Sequence, residues 1–220
     1  MQINNLNNVL SLTQELYAYL KGKIEFDEYG FPIFKPEMFL KVWPDLVIPY
    51  SQRKNRRVKN KKQTLLCFYD SDKNLYPRLA NVIDEIGEYK KYLGVCGLDI
   101  TITDDMDIEW QEYIFLLNQL FLAVLAVNGI KIVFNTRSAG LNESNAFRNI
   151  PQNATVASGF LGCDASMEER DFSYLIKILT LLPEKLIIYG KHDSHVESQL
   201  DTMGIDFRVY KDFHRLCKEV

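Results

Sequence analysis

A chain of 220 residues, 47% of them hydrophobic, with 26 basic against 29 acidic side chains and a formal charge of −3, has the size and balance of one globular domain with room for an appendage. A chain this long buries roughly 70% of its unfolded surface, so its core needs neither disulfides nor a structural metal. The slight net acidity argues against a surface that grips nucleic acid everywhere and leaves only local basic features as candidates.

The N-terminus, MQINNLNNVLSL, has no basic start and no small-residue cleavage site, so it does not read as a signal peptide. Residues 6, 9, 10, 13, 16, 17 and 20 repeat at helical spacing and predict an amphipathic first helix, stopped by Gly22. KIEF and FPIF flank Asp27-Glu28-Tyr29-Gly30 as a short hairpin would, and four prolines between 32 and 49 mark an irregular stretch with one helical turn near Glu37–Val42. Residues 1–45 therefore read as a cap on a main domain over 46–220. Leu46–Pro49 is a candidate short strand. After it, Arg53, Lys54, Arg56, Arg57, Lys59, Lys61 and Lys62 crowd into one polar stretch without periodicity, which predicts a mobile, solvated loop.

From Leu65 onward the pattern alternates. Strands are expected at Leu65–Asp70, Leu93–Thr103, Ile130–Thr136, Thr155–Gly159, Lys185–Gly190 and Phe207–Tyr210. Helices are expected at Tyr76–Lys91, Ile108–Asn128, Met167–Leu182 and Val196–Met203. Crossovers of this length predict an α/β fold, with a mainly parallel sheet covered by helices. The longest loop after residue 65 is expected in the 140s and early 150s. The helix at 108–128 is apolar nearly all round and should be the most buried; its most apolar part, Tyr113–Val127, is too short to span a bilayer. Cys67 and Cys96 fall inside strand runs, and none of the four cysteines (with Cys163 and Cys217) makes a CxxC pair. Buried free thiols in a reducing cytosol are the reading, with a zinc site drawn from them and three late histidines as a weak alternative.

Polar residues end almost every strand: Asp70 and Asp72, Asp99 and Thr101, Asn135 and Arg137, Ser158, then Lys191 and His192. Ligand sites of parallel sheets form beyond the carboxyl ends of the strands. Function at nearly every strand end suits a barrel-like closure, short of a full eightfold barrel; an open doubly wound sheet is the alternative. Asp70, Asp72 and Asp99 could serve a divalent metal or acid–base work, with Asp72 and Asp99 the metal candidates, while Arg137 and Lys191 supply positive charge for a small anionic ligand. The bland reading is that Asp caps turns wherever loops meet water. His192 and His195 suit a loop and a helix N-cap. No phosphate loop, GxGxxG or GxSxG is present, so neither a reaction nor an enzyme is specified.

The order of motifs resembles a family, the domain of unknown function numbered 4417. The resemblance rests on Cys67-Phe68-Tyr69-Asp70-Ser71-Asp72, Leu98-Asp99-Ile100-Thr101 with Asp105-Met106, Asn118 in the apolar helix, Gly129-Ile130-Lys131 and Tyr189-Gly190-Lys191. Cys67, Leu98 and Phe134 depart from its pattern, standing for a His and two prolines. The resemblance implies a phage or mobile-element setting in a bacterial cytoplasm and no particular activity. Two expectations follow: a pocket at the strand ends for a phosphorylated or nucleotide-type ligand, with or without a divalent ion, or a non-catalytic protein that binds nucleic acid through residues 53–62 or a host protein through its cap.

Overall fold

The computed structural model describes residues 5–137, 146–159 and 167–218, with only the backbone described for 167–172. Within them lie α1 (Leu6–Leu20), β1 (Leu46–Pro49), β2 (Thr64–Phe68), α2 (Asp72–Ala80), α3 (Ile86–Tyr89), β3 (Gly94–Leu98), α4 (Ile108–Val127), β4 (Ile132–Asn135), β5 (Thr155–Gly159), α5 (Met167–Leu181), β6 (Lys185–Tyr189), α6 (Ser194–Thr202), β7 (Phe207–Tyr210) and α7 (Phe213–Cys217). All seven strands are parallel, and their order in the sheet is their order in the chain. A doubly wound sheet reverses direction at a switch point; this one never does. It curls instead into a nearly closed seven-stranded barrel with an unsealed seam between β7 and β1. Side chains cross that seam: the Tyr210 hydroxyl donates to the Pro44 carbonyl at 2.8 Å, and the Arg208 guanidinium lies 4.7 Å over the Trp43 ring.

Alternation along each strand separates two cores. Val47, Leu65, Cys67, Cys96, Val133, Ala157 and Ile187 fill the bore. Ile48, Leu66, Phe68, Val95, Ile132, Phe134, Val156 and Leu186 face outward into the larger core beneath the helices. Both faces of the strands are covered, which is why they read as continuous apolar runs.

Helix α4 anchors the outer layer. It packs on β3, β4 and α1, and residues from Ile114 to Leu125 are buried almost without interruption. At twenty residues it is long and apolar enough to cross a membrane, so the reading that this segment is too short needs correction. Its packing on several sides, not its length, marks it as the core helix of the domain, consistent with a soluble protein. The α1 helix lies on it, with Thr13 Oγ1 2.6 Å from the Tyr113 hydroxyl and Leu12, Leu16 and Leu20 in the common core.

Three expectations need revision. The single helix at 76–91 is two, α2 and α3, because α2 starts four residues earlier and closes at Asn81, whose amide donates back to the Pro77 carbonyl. Strand β3 stops at Leu98, not Thr103, because side chains take the Leu98 backbone groups. The basic segment is not loose. Short 3-10 turns at Tyr50–Gln52 and Lys61–Gln63 bracket it; Arg53 stacks 4.1 Å over Tyr50 and approaches Glu88, its carbonyl accepts from the Tyr92 hydroxyl, and Lys62 Nζ donates to the Lys90 carbonyl. The hairpin at 24–34 forms as one bridge, Phe26–Pro32, around the Asp27 turn. The long loop expected in the 140s lies largely outside the described residues, as does Cys163; Cys67 and Cys96 are buried free thiols, as expected.

Candidate ligand site at the barrel mouth

The carboxyl ends of β2, β3, β4, β5 and β6 converge at one mouth, and its geometry begins one turn below, at Asn118. This side chain, buried within α4, pairs both ways with one residue of β3: its Oδ1 accepts from the Leu98 amide at 2.9 Å and its Nδ2 donates to the Leu98 carbonyl at 3.0 Å. Asn135 Nδ2 adds a second bond to that carbonyl at 3.2 Å. The backbone groups of Leu98 are thus consumed by side chains, so the strand ladder ends there and the chain is turned into the mouth at Asp99. Gly97 permits this closeness, since a Cβ there would lie 3.2 Å from Asn118 Oδ1 and 3.3 Å from the Asn135 nitrogen.

The segment after β3 is held residue by residue. Asn135 Nδ2 donates to Asp99 Oδ1 at 3.1 Å. The amide and hydroxyl of Thr101 both donate to Asp72 Oδ1, at 3.0 and 3.1 Å. Arg137 Nη2 donates to the Ile102 carbonyl at 3.4 Å. Asp99 sits deep yet keeps part of its side chain open. Burial pushes its carboxyl pKa up, opposed by the neighbouring Arg137 charge and the Asn135 bond and assisted by Asp72.

Tyr69 forms the floor. Its ring stacks on Tyr189 at 5.1 Å between centroids, nearly parallel, and lies over Gly159, where a Cβ would come within 2.8 Å of the ring. Glycine at 159 is what allows a side chain from β2's end to cross the mouth. The Tyr69 hydroxyl is buried and has no nitrogen or oxygen hydrogen-bond partner among the described residues; the Cys96 thiol, a weak partner, lies beside it, and Cys96 and Asp99 raise its pKa beyond the effect of burial. Arg137 Nε is likewise buried and unpartnered among the described residues. On the far side, Ser158 Oγ lies 2.9 Å from the Tyr174 hydroxyl, and the Tyr189 hydroxyl accepts from the Phe213 amide at 2.8 Å.

Of the residues singled out from sequence, Asp72, Asp99, Thr101, Asn135 and Arg137 are brought together. Asp70 is engaged elsewhere, where its Oδ1 accepts from the Ser71 amide and Asn74 Nδ2 at the start of α2. Lys191 is exposed beyond β6, and no described hydrogen bond or ion pair joins it to the others. His192 pairs with Glu197, and Asp193 caps α6. Among the described residues, no three His, Cys, Asp or Glu side chains are grouped to hold a metal. The part played by Tyr69 was missed, because an aromatic at a strand end reads as core and only the closed barrel reveals that it faces Gly159.

The model of the family described as "Domain of unknown function (DUF4417)" matches residues 25–211, most of the chain, and the chain belongs to that family. Comparisons with curated proteins and with solved structures gave no match.

Proposed function

We propose that this member of the domain of unknown function 4417 family binds a small anionic ligand, of phosphorylated or nucleotide type, at the carboxyl mouth of its barrel, as a phage or mobile-element accessory protein of the bacterial cytoplasm. The observation that carries the reading is the pair of buried donors without a hydrogen-bond partner among the described residues, Tyr69 O–H and Arg137 Nε–H, both of which lie near enough to interact electrostatically with Asp99. Buried polar groups are almost always hydrogen-bonded, so two such donors beside one carboxylate fit a place where a ligand oxygen completes the network. Arg137 supplies the charge, Asp99 and Asn135 orient a polar group of the ligand, and Thr101 and Asp72 hold the segment that carries Asp99.

The test is a thermal melt with sulfate, orthophosphate and AMP. A ligand at about 100 times its Kd stabilises by roughly 2.7 kcal/mol. Arg137→Met should remove that gain and leave the unliganded melt near its original temperature. A wild-type melt that none of the three shifts would sink the reading.

A second reading, nucleic-acid binding, rests on Lys54, Arg56, Arg57 and Lys59, which make no ion pair among the described residues. Arg53 and Lys61, by contrast, face Glu88, which weakens the segment as a phosphate-binding surface.

A further inference from the structure

We propose, on the ligand-binding reading above, that the mouth takes up a small oxyanion together with a proton, which is held between Asp99 and an oxygen of the ligand. The unfilled groups at the mouth set the chemistry. Tyr69 O–H and Arg137 Nε–H are both donors, so the ligand must bring acceptor oxygens. Both act electrostatically on the same carboxyl group, Asp99, whose Oδ1 takes the Asn135 amide; no described residue donates to its other oxygen. An anionic oxygen placed against the two donors therefore also meets a carboxylate.

The described charges facing Asp99 do not absorb another negative one. Arg137, just past β4, is the one cation that acts on it among the described elements. Asp72, from α2, is a second carboxylate acting on it. The remaining titratable neighbours among the described residues are Cys67 from β2, Tyr69 just past it and Cys96 from β3. All three are buried, with pKa values pushed up by desolvation, so they stay neutral. Among the described residues, one positive charge stands against two carboxylates, so an added oxyanion leaves two oxygens of like charge in contact. Such a pair shares a proton or recruits a cation. A cation is the poorer solution here: no triad of ligating side chains is grouped among the described residues, and Asp72 Oδ1 is already engaged by the Thr101 amide and hydroxyl. The shared proton needs no further side chain at the mouth, because burial already favours the protonated form of Asp99.

The proton comes from solvent and its place is fixed: on the Asp99 carboxyl, donating to the ligand, when the anion is as weak a base as sulfate, and on the ligand, donating to Asp99, when the anion is a stronger base. No covalent bond is made or broken.

Calorimetric titration of the full chain with sulfate, which does not itself titrate near neutrality, reads the proton directly when repeated in Tris and in HEPES. The expected result is uptake approaching one proton above neutral pH, with affinity falling about tenfold per pH unit; Asp99→Asn should still bind sulfate, with neither uptake nor that slope. Sulfate binding independent of pH would overturn proton sharing and leave the ligand reading intact. Binding that requires Mg²⁺ and strengthens as pH rises would overturn it in favour of a bridging cation. No heat and no melting shift with sulfate, orthophosphate or AMP at any pH from about 5.5 to 8 would overturn this inference and the ligand reading together.

Discussion

The two ends of the barrel are closed by opposite means. At the amino end, the chain before β1 folds under the strands and pairs with them: the Leu40 amide donates to the Ile132 carbonyl at 2.9 Å, Thr155 Oγ1 donates to the Leu40 carbonyl, and Lys41 bonds to Glu184 and the Asn153 carbonyl. Trp43 closes the rest, with Lys185 and Arg208 over its ring. At the carboxyl end, a tyrosine ring lies across the bore, but its hydroxyl and Arg137 Nε are left buried without partners among the described residues. One end uses its polar groups for stability. The other keeps two donors and one oxygen of the Asp99 carboxylate unengaged among the described residues, as a site does.

The largest effect expected from breaking this arrangement lies just beneath the mouth. Asn118→Leu removes the two bonds that end β3 and strands the Leu98 amide in the core, because Asn135 serves only the carbonyl. The cost should be about 3 kcal/mol, read as a lower urea midpoint. An unchanged midpoint would mean that the strand end is not held from the helix, and that Asp99 is placed by something else.

That asparagine also measures what the sequence discloses. A lone amide in an apolar helix signals a buried bond, but its partner twenty residues earlier is set by how α4 lies on β3. The apolar runs of the strands, the stop at Gly22 and the strand–helix alternation were all legible because each is local. Closure of the barrel was legible only indirectly, through the polar residues at successive strand ends. The strands' outer limits were not: β3 and β4 looked longer by the same β-branched composition that continues into Ile100–Thr103 and Ile130, where side chains or the turn after α4 take the backbone's bonds. Arg53 shows the same limit. A run of cations reads as solvated until Glu88 and Tyr50 are seen beside it.

A matched pair of hydroxyl deletions sharpens the contrast between the ends. Thr155→Val at the base removes the side-chain donor to the buried Leu40 carbonyl and should destabilise by about 1 kcal/mol. Tyr69→Phe at the mouth removes a hydroxyl that is desolvated with no hydrogen bond to nitrogen or oxygen in return among the described residues, and should stabilise the unliganded protein by a similar amount, about 1 kcal/mol. Opposite signs in parallel denaturation curves would support the division between a structural end and a functional one. Destabilisation by both would show that the Tyr69 hydroxyl is satisfied in solution and would remove one of the two donors on which the ligand site rests.

The smallest effect is expected at Asp99, and there the sign is decisive. Burial raises the folded-state pKa of this carboxyl above its ordinary value of 3.8. The folded chain therefore favours the protonated form more than the unfolded chain does. That preference is fully present as stability below the unfolded pKa and is lost as pH rises through the folded one. Asp99→Asn keeps an oxygen to accept the Asn135 bond and has no charge to bury, so at neutral pH the variant should melt slightly above the wild type. The difference should shrink as pH falls through the folded pKa of Asp99 and vanish near the unfolded value. Melting curves of both proteins across that range decide the matter. A wild type that is the more stable at neutral pH would mean that Arg137 compensates the carboxylate fully; Asp99 would then be half of a stabilising ion pair, and the mouth would be closed as thoroughly as the base.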